Sequence, residues 1–328
     1  MIQRNLKPLS LFFKEIGEQK IQISDMNGKF DLLYSPIGFE NILLNELEYK
    51  NISIIAQEAR IFLIEKSNIP IYFVQLHARE VQFQFFESIS QASHFLKNIQ
   101  RNWANLDYLF FRRAEMIKDK LPFIKSRRIQ YLEKIPESKM GLWLLCNEHL
   151  LLYSASTNSP YPLGIHEFEE DKEGPPSRAY LKLWEIFTLK EHFPSPGEKV
   201  IDLGSAPGGW TWVLAKLKGK VKSVDRSLLI EKLMLDPAIS FEKGDAFKVD
   251  PTSTGDLSWI FSDIICYPEK SYELIQKWLL FYPNSQFVIT IKFQGETNFK
   301  VVELLEKIPN SKLVHLYHNK HELTWYKF

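Results

Sequence analysis

The chain has 328 residues, 45% hydrophobic and 25% charged, with a formal net charge of +1. This length calls for two or three domains with ample core, and the composition is that of a soluble globular protein rather than a disordered or fibrous one. The near-neutral balance excludes a global polyelectrolyte, so any affinity for nucleic acid has to come from local patches.

Cys146 and Cys266 lie far apart and give neither a metal spacing nor a disulfide framework, so no metal site is expected. The first 20 residues are interrupted by charges and lack a signal-peptide apolar region, and no run approaches the ~20 apolar residues of a membrane span. An intracellular, reducing, cytoplasmic setting is the expectation, with no membrane partner.

Residues 1 to about 28 read as a polar lead-in with an apolar patch at Leu9 to Phe13. A strand at Asp31–Tyr34, a turn at Pro36-Ile37-Gly38 and a helix from Phe39 to Glu48 follow. Strands are expected at Asn51–Ile55, Ala59–Ile64, Ile71–Val74 and Val81–Phe86, then a helix from Ser90 to Ile99. This order suits a small α+β, ferredoxin-like domain over residues 1–100.

Residues 101–128 set eight basic side chains (Arg101, Arg112, Arg113, Lys118, Lys120, Lys125, Arg127, Arg128) against three acidic ones. Trp103, Tyr108, Phe110, Phe111 and Phe123 are interleaved. Such a segment can hold phosphates and stack unpaired bases; it can equally be a helix with a solvated basic face and a core-facing aromatic side. Two short strands follow within Gly141–Tyr153. Residues 154–176, with an acidic run at Glu167–Glu173 and paired prolines, read as a solvated linker.

From Ser177, taken as a helix N-cap, helices and strands alternate to the C-terminus, the pattern of an open doubly wound sheet. Its centre is KVIDLGSAPGGWTWVLAKLKGKVKSVD, residues 199–225: strand, glycine turn, helix, and a strand ending on Asp225. Ala206 stands where a dinucleotide fingerprint needs its second glycine, and Trp210 where a P-loop needs lysine, so both phosphate-loop readings are weak. Leu257–Asp263 is an apolar strand ending on a carboxylate, FVITIKF is a buried strand carrying Lys292, and Leu313–Tyr317 with Leu323–Phe328 makes a closing hairpin. An antiparallel last strand would start at the carboxyl edge, so Lys182, Asp263, Lys292 and Glu322 can meet there. A lysine in so apolar a strand is costly unless paired.

The string D-x-G-x-x-P-G-G-W at 202–210 resembles the S-adenosylmethionine loop of FtsJ-like ribose 2′-O-methyltransferases. Lys182 in SRAYLK, Asp263 in FSDI, Lys292 in IKFQG and Glu322 in HELTWY resemble, in order and context, the K-D-K-E tetrad of that family. The RlmM-type branch, which acts on large-subunit ribosomal RNA, is the most similar in STNSPYPLGI and PPSRAYLKL, and more faintly in PIGFE at 36–40. Residues 101–153 are too short for the complete THUMP domain of that branch, so a reduced THUMP-like region is expected over 101–160, before a Rossmann-like α/β methyltransferase domain at 161–328 with a mixed, mostly parallel sheet.

The resemblance implies S-adenosylmethionine as cofactor and RNA as partner, most closely large-subunit rRNA or an assembly intermediate. It implies cofactor contacts at Ser177, Gly204, Ala206, Pro207, Gly208, Gly209, Trp210, Asp225 (ribose), Asp245 (adenine) and Asp263. Lys292 is then either the base for the ribose hydroxyl or a cation stabilising the developing alkoxide, with Lys182 as a second cation. A cap-type mRNA 2′-O-methyltransferase and an RNA-binding protein with an inactive methyltransferase domain are the competing readings.

Overall fold

The computed structural model describes residues 6–18, 23–124 and 127–328. Lys125 of the basic segment lies outside the described residues. Two compact units are present: Met1–Arg127 with Ile135–His166, and Arg128–Lys134 with Glu167–Phe328.

The first unit runs α1 (Leu9–Glu18), β1 (Phe30–Tyr34), α2 (Glu40–Tyr49), β2 (Ile54–Glu58), β3 (Ile61–Glu65), β4 (Leu76–Phe85), α3 (Ile89–Ile99), β5 (Trp103–Asn105), α4 (Phe111–Lys118), β6 (Gly141–Asn147) and β7 (Leu150–Ser154). Its strands form one sheet in the order β2-β3-β1-β4-β7-β6-β5. The sheet crosses residue 100, where a boundary was expected, because Phe85 and its neighbours in β4 pair antiparallel with β7. Both faces of β6 are covered. Leu142, Leu144 and Cys146 join one apolar cluster with α1, while Trp143 and Leu145 join another with α3 and α4. That is the period-two signature of a strand buried on both sides.

Three local expectations need correction. The lead-in holds a full helix, α1, whose Leu9, Phe13 and Ile16 are buried at helical spacing. Ile71–Val74 is not a strand: the Tyr72 and Phe73 N–H groups donate to the buried Glu46 carboxylate at 2.8 and 2.9 Å, which removes the donors a ladder would use. The front of the supposed linker is folded onto β4. Asn158 Oδ1 accepts from His77 N–H at 2.8 Å, Gln75 Nε2 donates to Leu163 O at 2.8 Å, and a Cβ at Gly164 would lie 2.2 Å from Gln75 O.

The second unit runs α5 (Tyr180–Lys190), β8 (Lys199–Leu203), α6 (Gly209–Lys216), β9 (Lys220–Asp225), α7 (Glu231–Met234), β10 (Ile239–Lys243), β11 (Trp259–Ser262), α8 (Pro268–Phe281), β12 (Gln286–Lys292), α9 (Phe299–Glu306), β13 (Ser311–Val314) and β14 (Glu322–Lys327). This is the mixed, mostly parallel α/β sheet expected, in the order β10-β9-β8-β11-β12-β14-β13 with β14 antiparallel to both neighbours. Strand order reverses between β8 and β11, and in an open α/β sheet that switch point opens a ligand crevice beyond the carboxyl ends. The apolar run Trp259–Ser262 is buried throughout, as a central parallel strand must be. No helix among the described residues is long and apolar enough to cross a membrane.

Candidate active site

A cavity of about 340 Å³ lies at that switch point. Its floor is the turn after β8. Gly204 has φ +75°, and a Cβ there would sit 2.0 Å from Ile264 Cγ1, so only glycine lets this turn pass under the loop after β11. Gly208, at φ +115°, packs against Leu233 and enters α6; the Ala206–Pro207 peptide is cis. At Gly209 a Cβ would meet Ser177 Oγ at 2.6 Å, so bare backbone faces that serine across the cavity wall.

Of the sequence-predicted contacts, Ser177, Gly204, Ala206, Pro207, Gly209, Trp210, Asp225, Asp263 and Lys292 line the cavity. Ser177 is not a helix cap: α5 begins at Tyr180 with no side-chain cap bond. Trp210 is fixed by its indole N–H donating to Ala179 O at 2.9 Å. Asp225 accepts the Ala206 and Ser227 N–H groups at 3.0 and 2.8 Å, which ties the end of β9 to the glycine turn. Asp245 is not brought to the lining. Its carboxylate pairs with Arg226 at 2.6 Å and accepts Phe247 N–H, and these bonds, the Arg226 one first, hold its pKa below the usual carboxylate range.

Sequence reasoning did not single out Ala179, Asp202, Ser205, Ile264 and Ile265, which also line the cavity. Asp202 and Ser205 stand inside the string that drew attention to the loop, and the isoleucines directly follow Asp263; adjacency to those motifs was the available signal. Ser205 Oγ is buried without a hydrogen-bond partner, which leaves it for a ligand. Asp202 is 1% exposed and accepts from Thr211 Oγ1 at 2.7 Å.

The charged residues converge at one end of this cavity. Register pairing of β12 with β14 sets Lys292 opposite Glu322, and α5 supplies Lys182. Lys182 Nζ donates to Asp263 Oδ1 at 2.6 Å and to Glu322 Oε1 at 3.0 Å. Lys292 Nζ reaches the same Asp263 Oδ1 at 3.0 Å and donates to Asp263 O at 2.7 Å. Two cations and two anions thus compensate each other where isolated charges would cost several kcal/mol or more apiece. Burial pulls the Lys182 pKa down, but Asp263 and Glu322 outweigh it, and the net direction is up. Lys182 is therefore held charged. Lys182 and Glu322 stand behind Asp263, outside the cavity-lining residues, whereas Asp263 and Lys292 face in.

One turn along α5 from Lys182, Glu185 accepts the Tyr317 and His318 N–H groups at 2.8 and 3.0 Å and pairs with His318 Nδ1 at 2.8 Å. The same helix face therefore holds the loop that delivers Glu322.

Residues 175–317 match the family described as FtsJ-like methyltransferase. Proteins called ribosomal RNA large subunit methyltransferase M are similar. The one from Hahella chejuensis is 28% identical over 58% of this chain and 53% of its own length. Those from Proteus mirabilis and a Marinomonas species are 31% and 32% identical over 52% of this chain, and 52% and 53% of theirs. The chain spans about half the length of the curated relatives it matches. Glu322 lies beyond the stretch matched by the family. The glycine turn, Lys182, Asp263 and Lys292 all lie within the stretch, residues 175–317, that is similar to FtsJ-like methyltransferases.

Proposed function

We propose that this protein transfers a methyl group from S-adenosylmethionine to a ribose 2′-hydroxyl of RNA, with large-subunit ribosomal RNA, free or in an assembly intermediate, as substrate. The observation that carries the reading is the Lys182–Asp263–Lys292 chain of contacts at the mouth of a glycine-floored cavity. The names of the similar proteins support the choice of RNA. The cytoplasm, where bacterial ribosomal RNA is matured, is the compartment this reading implies.

The cavity's own groups fit the cofactor. Its volume is that of a small-molecule site. Its ionisable lining sets the carboxylates of Asp225 and Asp263, with the buried Asp202 beside them, against Lys292, a predominance of acidic groups that suits a cationic ligand, and Ser205 Oγ awaits a partner. The turn at 204–209 and Ser177 would receive the methionine part, and Asp225 the ribose hydroxyls.

When bound, S-adenosylmethionine supplies a methyl group on a sulfonium sulfur. Lys292 Nζ, once its ammonium form has given up one proton to solvent, takes the hydroxyl proton as the ribose oxygen attacks, because it is the lysine that faces the cavity. Asp263 holds that nitrogen through both its carboxylate and its backbone carbonyl, which fixes its direction. Lys182 and Glu322 keep Asp263 in place and in charge balance.

The test is methyl transfer from labelled S-adenosylmethionine to large-subunit rRNA by wild type and Lys292→Ala, with the product mapped by 2′-O-methyl-sensitive reverse transcription. A lysine-dependent ribose mark is the expected result. Cofactor binding without transfer to free RNA or ribosomal particles would overturn the substrate, and an undiminished Lys292→Ala enzyme would overturn the role of that lysine.

A further inference from the structure

Asp202 stands apart from the other carboxylates of the cavity. Asp263 has two ammonium partners and Asp225 has two backbone N–H donors, whereas Asp202 has the Thr211 hydroxyl, itself bonded to Ser223 at 2.7 Å. It sits at the end of β8, fully buried beneath the first turn of α6, yet on the cavity wall. The charged groups around it are Asp225 at the end of β9, Asp263 after β11 and Lys292 on β12, with Lys182 of α5 and Glu322 of β14 behind Asp263. The two cations are committed to Asp263. Burial, and then the like charges of Asp263 and Asp225, push the Asp202 pKa up to about 7, against the lowering effects of the Thr211 hydroxyl and backbone.

We infer that Asp202 is the group by which this cavity tells a cationic methyl donor from its neutral thioether product: near neutral pH it is part-protonated in the free protein, and it gives up that proton when a sulfonium enters. The inference rests on the cofactor reading above. In the step, the carboxyl O–H bond breaks, the electron pair stays on Asp202, and the proton goes to solvent. The incoming positive charge then faces a carboxylate instead of a neutral acid. Demethylation removes the ligand's positive charge while Asp202 is ionised in a buried position, so reprotonation favours the product-loosened state. The methyl donor is thus bound more tightly as pH rises through 7, and the thioether is not.

Isothermal titration calorimetry of the whole chain with S-adenosylmethionine and with S-adenosylhomocysteine tests this, run in two buffers of different ionisation enthalpy so that protons are counted. At pH 6.5 both ligands carry a protonated amino group and an ionised carboxyl, so their own ionisation contributes little to the proton count. The expected result at pH 6.5 is release of at least about half a proton with the methyl donor and much less with the thioether. Donor affinity should tighten about tenfold between pH 6 and 8, while thioether affinity does not. Asp202→Asn, which keeps the size and a hydrogen bond to Thr211, should erase the difference while still binding both ligands.

Equal proton release with both ligands overturns the role of Asp202 and leaves the cofactor reading standing, as does a difference that persists in Asp202→Asn. Binding of neither ligand overturns both. The wild-type proton count decides the matter even if the variant fails to fold.

Discussion

Lys182 and Lys292 meet on one oxygen, Asp263 Oδ1, and what else each touches separates their roles. Lys182 is buried against a second carboxylate, Glu322, which favours its charged form. Lys292 turns instead to a backbone carbonyl and the cavity. Lys292→Arg discriminates a proton acceptor from a fixed cation at this position, since a guanidinium keeps its charge and does not deprotonate near neutral pH. If Lys292 is the base, methyl transfer should fall about a hundredfold or more, the range of general-base contributions, with cofactor affinity by calorimetry within a few fold. Activity within tenfold of wild type would assign Lys292 a purely electrostatic part. The sequence alone could nominate Lys292 as an expensive residue in an apolar strand, whereas Lys182, and its second place, came from the tetrad resemblance. What sequence could not supply is which of the two ammonium groups faces the cavity.

Helix α5 does two jobs from one face: Lys182 anchors the charged cluster, and Glu185 anchors residues 317 and 318 before Glu322. Glu185→Gln keeps the shape but offers one acceptor oxygen where two serve now, and it turns an NH2 toward N–H donors. Unfolding free energy should drop by about 1–3 kcal/mol, the cost of leaving a buried donor unpaired. The turnover number for methyl transfer should fall more than the cofactor KM rises, because the glycine turn is untouched; an unchanged turnover number would mean that the 317–322 loop holds itself. At this scale the C-terminal sheet was legible because its central strands are continuous apolar runs and its hairpin closes the edge. Ile71–Val74 shows the limit. Its apolar pattern is strand-like, but a glutamate 26 residues earlier in sequence captures its donors. The reading of Ser177 as a helix cap failed for a related reason: a good capping residue was used on the cavity wall, and α5 started three residues later.

Across the whole molecule the charge sums to +1, so any RNA affinity has to reside in a patch. In the first unit, Arg101, Arg112, Lys118 and Lys120 are exposed on and around α4, with Phe111 59% and Phe123 88% exposed among them. Trp103 and Tyr108, indistinguishable from these in composition, are committed elsewhere. Trp103 is buried in the core, and the Tyr108 hydroxyl donates to Glu58 at 2.7 Å. Sequence could therefore mark the segment but not sort stacking aromatics from packing ones. If this surface holds RNA, replacing Arg101, Arg112 and Lys120 by alanine should weaken binding, and the slope of log affinity against log salt should flatten by about 0.7 for each lost phosphate contact to a single strand. Phe123→Ala should weaken binding without changing that slope, since stacking releases no counterions. Filter binding of rRNA fragments across a salt series reads both, with S-adenosylmethionine affinity as the control for folding. A triple variant whose salt slope equals that of wild type would make the patch a solvated face, and the RNA contacts would then have to be sought around the exposed Ile265 and Tyr267 beside the cavity.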